Sequence, residues 1–116
     1  MKKEIADKWV RALRSGEYKQ GNGSLLRDGN YCCLGVLCDL ALKNNVPITV
    51  GIVEGATSFD GKLGVLPNSV KNWAGMNSAN GGLFASHRYT SLTDENDLGV
   101  NFNEIAKLIA DHWDNL

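Results

Sequence analysis

Cys32, Cys33 and Cys38 are the residues of this chain that first invite a chemical reading, because three sulfurs fall within one short run. A structural zinc site takes four ligands, as Cys-x-x-Cys-like pairs or with histidines at set spacing. The cysteine intervals fit neither pattern, and His87 and His112 stand alone outside any Cys/His signature. A thiol nucleophile is the other chemistry open to them. A helix N-terminus lowers a cysteine pKa, but catalysis also needs a histidine within hydrogen-bond reach and a third group to orient it. His87, beside a loop, is the candidate base. His112 falls on an apolar helical stripe, where a packed histidine is commoner. Free cysteine behaves as a small buried hydrophobe. The spacing therefore predicts packing for all three, with no metal, no cofactor and no enzyme activity.

The run Lys19-Gln20-Gly21-Asn22-Gly23-Ser24 carries a different chemistry. Closely spaced glycines let successive backbone N–H groups converge on an anion, and Lys19 brings charge. Arg14 and Arg27 are near in sequence and can join it. Gly-x-Gly alone completes neither a P-loop nor a dinucleotide fingerprint, so a plain flexible turn is the competing reading. Tyr18, Tyr31, Trp73 and Tyr89 are aromatics able to stack on a base, although Trp9, Trp73 and Trp113 also fall at helical spacing among apolar residues. Arg88, between His87 and Tyr89, makes a second polar-aromatic patch. The expected ligand-binding set is Arg14, Lys19, Gln20, Gly21, Asn22, Gly23, Arg27, Tyr31, Trp73 and Arg88. Asp94, Glu95 and Asp97 read as a solvated face or a capping segment before a helix, with nothing to place two carboxylates across a cleft.

These residues must be positioned by few elements. Ile5, Trp9 and Leu13 recur at spacing four, which predicts a helix from Lys3 to Ser15 with Gly16 just past its end. Leu25-Leu26-Arg27 and Asn30-Tyr31-Cys32 flank Asp28-Gly29, a hairpin signal because a primed turn needs positive φ. From Cys33 to Lys43 the chain is apolar nearly all round, which predicts a buried central helix. Gly35 inside it costs about 1 kcal/mol against alanine, so something must pack closely there. Extended segments follow over 48–66, with a second Asp-Gly turn at Asp60-Gly61. Pro67 at a first helical position opens a short helix that ends at Gly75. A strand is expected around Phe84 to Tyr89. Asn101 and Glu104 form a capping-box pair before a final helix carrying Phe102, Ile105, Ile109, His112 and Trp113 on one face. The fold class is α+β: a small antiparallel sheet and hairpins packed on three to four helices around the buried central one.

The chain has 116 residues, 43% hydrophobic and 22% charged, which suits one domain over 1–116. A domain of this size buries roughly two-thirds of its unfolded surface and needs no staple. The formal charge of −1 provides no field to draw in a nucleic-acid polymer or an acidic membrane. The start, charged and then amphipathic, lacks the form of a secretory signal, and no apolar run is long enough to span a bilayer. An odd, clustered set of cysteines points to reduced thiols and hence to the cytoplasm.

The runs Trp9–Gly21 and Cys32-Cys33-Leu34-Gly35-Val36-Leu37-Cys38-Asp39-Leu40-Ala41 resemble a widespread family of small phage and prophage proteins. The resemblance continues through Leu66-Pro67, Trp73-Ala74-Gly75, Leu92, Asn96-Asp97 and Phe102 to Ile109, so it spans most of the chain. It implies a phage accessory protein in the host cytoplasm. Phages encode small proteins that sequester the cyclic nucleotide messengers of bacterial anti-phage immunity (CBASS or Thoeris type), and this domain is similar to them in size. The leading expectation is therefore a homo-oligomeric nucleotide-sequestering protein whose pocket uses Lys19, Gln20, Asn22 and Arg27 with an aromatic platform. The alternatives are a protein-interaction module that blocks a host enzyme and, after it, a thiol hydrolase.

Overall fold

The helical stripe of the first residues closes onto the core as its spacing demands. In the computed structural model, which describes residues 1–116, α1 spans Lys3–Arg14 and buries Ile5, Ala6, Trp9 and Leu13. Gly16 follows at φ 78°, the left-handed conformation that lets the chain leave the helix. Three two-residue strands come next: β1 (Lys19–Gln20), β2 (Leu26–Arg27) and β3 (Asn30–Tyr31). Asp28 and Gly29 take φ 52° and 79° between β2 and β3, the pair of positive angles of a type I′ turn. β1 returns alongside β3 in parallel, Lys19 opposite Asn30 and Gln20 opposite Tyr31.

The central helix α2 covers Cys33–Lys43, with seven buried residues from Cys33 to Ala41. A Cβ on Gly35 would lie 1.8 Å from the Leu25 carbonyl oxygen. The backbone leading into β2 thus lies directly on the helix, which is the close packing that a glycine in mid-helix implies. The Trp9 indole N–H donates to the Cys33 carbonyl at 2.9 Å, tying α1 to α2.

β4 (Val50–Val53) and β5 (Ala56–Phe59) form a hairpin. The turn is Glu54-Gly55, with φ 50° and 83°. The five strands run in the order β1-β3-β2-β5-β4, antiparallel except for the β1–β3 pair. Asp60-Gly61 makes a second tight turn, closed by the bridge between Phe59 and Lys62. α3 (Asn68–Ala74) starts one residue after the expected point, with Pro67 extended as its cap, and ends at Gly75 with φ 69°.

The single strand expected over Phe84 to Tyr89 is instead a hairpin of β6 (Gly82–Ala85) and β7 (Arg88–Ser91). Its turn falls on Ser86 and His87, with φ 53° and 65°, so no glycine marks it in the sequence. α4 (Leu92–Asp97) follows at once, capped by the Ser91 hydroxyl, which accepts from the Asp94 N–H at 3.0 Å. α5 (Phe102–His112) has the expected N-cap: the Asn101 side-chain oxygen accepts from the Glu104 N–H at 2.9 Å, while the Glu104 carboxylate accepts from the Asn101 side-chain amide at 3.2 Å and not from its backbone N–H as a full capping box would. A 3₁₀ turn over Trp113–Asn115 ends the chain.

The fold is α+β, with five helices, a five-stranded mixed sheet and a two-stranded hairpin around the buried α2. One hydrophobic cluster of 25 residues draws on all five helices. No helix is long and apolar enough to cross a membrane.

Candidate functional site at the junction of α1, β1 and α5

The glycine run does not form an anion nest. Both glycine N–H groups are already taken: Gly21 donates to the Tyr31 carbonyl at 2.8 Å, and Gly23 donates to the Asp97 carboxylate at 3.0 Å. The second bond is decisive, because a carboxylate of the chain itself occupies the place an anionic ligand would take. Asn96, only 1% exposed, completes the lock. Its amide nitrogen donates to the Gly21 carbonyl at 2.7 Å. Its oxygen accepts from the Gln20 side chain at 3.1 Å and from the Cys33 N–H at 3.1 Å. Cys32 cannot cap α2, so Asn96 satisfies a first-turn N–H of that helix from a distant element. Gly21 is required here by space: a Cβ would meet that of Asn30 at 2.8 Å.

The ten residues singled out by sequence do not converge. Gly21, Asn22 and Arg27 line a shallow polar depression shared with Asp28, where Arg27 donates to the Glu54 carbonyl. Lys19 is exposed on β1. Trp73 packs half-buried against the core. Arg88 pairs with Glu95 at 2.8 Å, on the hairpin. Tyr31 stacks edge-on against Tyr18, ring centroids 5.0 Å apart. Gln20 acts as a clamp, accepting from the Phe102 N–H at 3.0 Å and donating to the Val100 carbonyl at 2.8 Å.

Arg14 and Gln20 do come together, in a cleft of about 360 Å³ with Leu13, Gly16, Tyr18, Asn101, Phe102 and Asn103. The cleft lies between the end of α1 and the start of α5. Arg14 makes no ion pair within the chain. No carboxylate lines the cleft, and the first turn of an eleven-residue helix adds its positive dipole end. Tyr18 supplies an aromatic wall. Its hydroxyl is held by the Asp39 carboxylate and accepts from the Lys43 ammonium at 3.1 Å. Burial, then the hydrogen bond to Asp39, raises the Tyr18 pKa above the ordinary phenol value. Asn101, Phe102 and Asn103 escaped sequence reasoning because they line the cleft with Gln20 from more than 80 positions away, Phe102 through its N–H, and no local pattern marks such a contact.

A larger cleft, about 460 Å³, lies between the β6–β7 hairpin and α5. Glu95, Glu104 and Asp111 line it with Lys107 and His112. This corrects one reading: His112 is half-exposed on the wall of the cleft rather than packed in the core. Of Asp94, Glu95 and Asp97 only Glu95 lines it, so no two of them meet across it. Glu95 is buried and accepts from Arg88 and from the Thr90 hydroxyl at 2.7 Å. Lys107, by its hydrogen bond, holds the Asp111 carboxyl below its usual range. The balance of charge on these walls opposes an anionic ligand.

The thiols are all buried and unpaired by disulfides. Burial pushes each of them above the ordinary cysteine pKa, Cys33 most clearly. The Cys33 thiol donates to the Leu92 carbonyl at 3.5 Å. The helix dipole does not offset desolvation here. No group of three or more His, Cys, Asp or Glu side chains is placed to hold a metal ion.

The model of one protein family, described as a domain of unknown function (DUF8296), matches residues 1–113. The chain belongs to the DUF8296 family. No curated protein and no solved structure matched it. The match takes in α1 to α5 whole, so the Arg14 cleft and the Asn96 lock both fall inside the family domain.

Proposed function

We propose that this domain is a binding module for a small anionic nucleotide, held in the cleft between α1 and α5. The observation that carries the reading is the lining of that cleft: an unpaired arginine, an aromatic ring and amide side chains, with no carboxylate among them. Phosphate would sit toward Arg14, with the dipole of α5 adding to its charge; the Phe102 and Glu104 N–H groups are bonded to Gln20 and Asn101, so Arg14 supplies the charged contact. A base would lie against Tyr18. The other clefts either carry carboxylates or, beside Phe84 and Tyr89, lack a cation.

The resemblance of the Trp9–Gly21 and Cys32–Ala41 runs to small phage proteins suggests the biological setting. In that setting the domain acts in the host cytoplasm and sequesters a cyclic nucleotide signal of anti-phage immunity. Calorimetric titration with cyclic dinucleotides and cyclic ADP-ribose isomers tests the idea. A folded sample that binds none of them sinks it.

A second reading, a module that blocks a host enzyme, rests on a separate surface. Phe84 and Tyr89 stack 4.9 Å apart on the outside of the hairpin, 53% and 85% exposed. Leu98 is close to Tyr89 and also exposed. Exposed aromatics of this kind are typical anchors of protein interfaces. That reading predicts a host protein retained in pull-downs and indifference to nucleotides. The raised thiol pKa values weigh against the hydrolase reading.

A further inference from the structure

β4 is the last strand of the five-stranded sheet, and its outer side is unpaired. Val50, Ile52 and Val53 are 50%, 78% and 45% exposed. In an antiparallel ladder, alternate residues turn their backbone groups to opposite sides. The Thr49 carbonyl accepts from the Asp60 N–H at 2.8 Å, so Thr49 faces β5. Gly51 and Val53 then face it too, opposite Ser58 and Ala56. The N–H and C=O groups of Val50 and Ile52 consequently point out from the sheet. Natural edge strands are usually guarded by a charge, a proline or a bulge. The segment from Ile48 to Val53 contains no charge and no proline, and its register with β5 is unbroken.

We propose that β4 pairs with β4 of a second copy of this chain, antiparallel about a twofold axis at Gly51. In that register Val50 of each copy lies opposite Ile52 of the other. The Val50 N–H donates to the Ile52 carbonyl across the axis, the Ile52 N–H donates to the Val50 carbonyl, and symmetry repeats both bonds. Gly51 faces itself at the non-hydrogen-bonded position, where Cα atoms approach to about 4.5 Å. A residue without a side chain relieves crowding at that point. Val50 and Ile52 of both copies then share one face as cross-strand pairs, covering the apolar groups most exposed on this strand.

Neighbouring registers are poorer. A slip toward the turn sets the Glu54 carboxylate opposite Val50. A slip the other way depends on Ile48, which lies outside β4 and follows Pro47. A slip by one residue opposes groups already bonded to β5, so no ladder forms. The paired edge is short, which makes the dimer weak and concentration-dependent.

Sedimentation equilibrium of the full chain over a concentration series tests this. The wild type is expected to pass from the mass of one chain to that of two. Ile52→Lys and Ile52→Pro are expected to stay monomeric with unchanged circular dichroism, because the Ile52 side chain is largely in water and its N–H points out from the sheet, away from β5. Tyr89→Ser is expected to dimerise as the wild type does, and loss of the dimer there would move the interface to the hairpin and overturn the proposal. So would a wild type that remains one chain at about 1 mM, or Ile52 variants that associate like the wild type. Amide exchange on the wild type gives a readout independent of variant folding. Val50 and Ile52 amides should become protected as concentration rises, and fast exchange at every concentration contradicts the pairing.

Discussion

The side-chain amide of Asn96 donates to the carbonyl of Gly21 at 2.7 Å, joining α4 to a loop 75 positions earlier. The same side chain accepts from Gln20 and Cys33, so one buried residue fastens the glycine run, β1 and the start of the central helix together. This is why the polar groups of the run are bonded within the chain, and why the cleft proposed for a ligand lies beyond it, at Arg14.

Asn96→Ala should therefore cost about 2–4 kcal/mol, because it leaves several buried polar groups without partners. Asn96→Asp retains an acceptor but loses the donor to Gly21, and should fall between the two. Urea unfolding of the three proteins measures the order.

Gly35→Ala reverses the ordinary sign. In an open helix the change stabilises by about 1 kcal/mol. Here the new Cβ would lie 1.8 Å from the Leu25 carbonyl oxygen, a backbone atom, so α2 or the hairpin must shift. The expected loss is about 3 kcal/mol or more, seen as a lowered denaturant midpoint or an insoluble product.

Those two sites also mark what the sequence makes legible. Gly35 announces its own contact, since a glycine inside an apolar helix needs a reason, and α1, α2, the Asp28-Gly29 turn and the Asn101 cap are equally local signals. α4 is not legible. Asp94, Glu95, Asn96 and Asp97 look like a solvated run, yet Glu95 is buried against the hairpin just before it and Asn96 by partners more than 60 positions away. The Ser86-His87 turn carries no glycine to betray it. β1 is two residues long and pairs in parallel with β3, too short for any strand pattern to mark it. Of the candidate site, Arg14 and Gln20 could be named from sequence, whereas Asn101 and Asn103 arrive through the docking of α5.

The buried thiols set an alkaline limit. Burial raises the pKa of Cys32, Cys33 and Cys38 above the reference value of 9.0. The folded chain thus holds these protons after the unfolded chain releases them. Their contribution is complete below about pH 8 and falls as pH rises past 9, by up to about 1.4 kcal/mol per pH unit for each thiol. Stability measured from pH 7 to 10.5 should decline in that window, and Cys38→Ala should decline less steeply. Thiol reagents at neutral pH should react only in denaturant.

The outer face of the hairpin contributes little to folding. Phe84→Ser with Tyr89→Ser should change stability by no more than about 1 kcal/mol, because both rings are largely in water. If the second reading holds, the same double variant loses a host partner in pull-downs while its thermal midpoint stays near that of the wild type.

The most direct test of the nucleotide-binding account compares Arg14→Ala with Arg27→Ala in calorimetric titrations of the cyclic nucleotide panel. The account predicts a wild-type ligand whose affinity falls at least about tenfold in Arg14→Ala, as expected for a lost charged hydrogen bond of about 1.4 kcal/mol or more, and is unchanged in Arg27→Ala. Binding that survives Arg14→Ala intact, or a folded wild type that binds none of the panel, contradicts it.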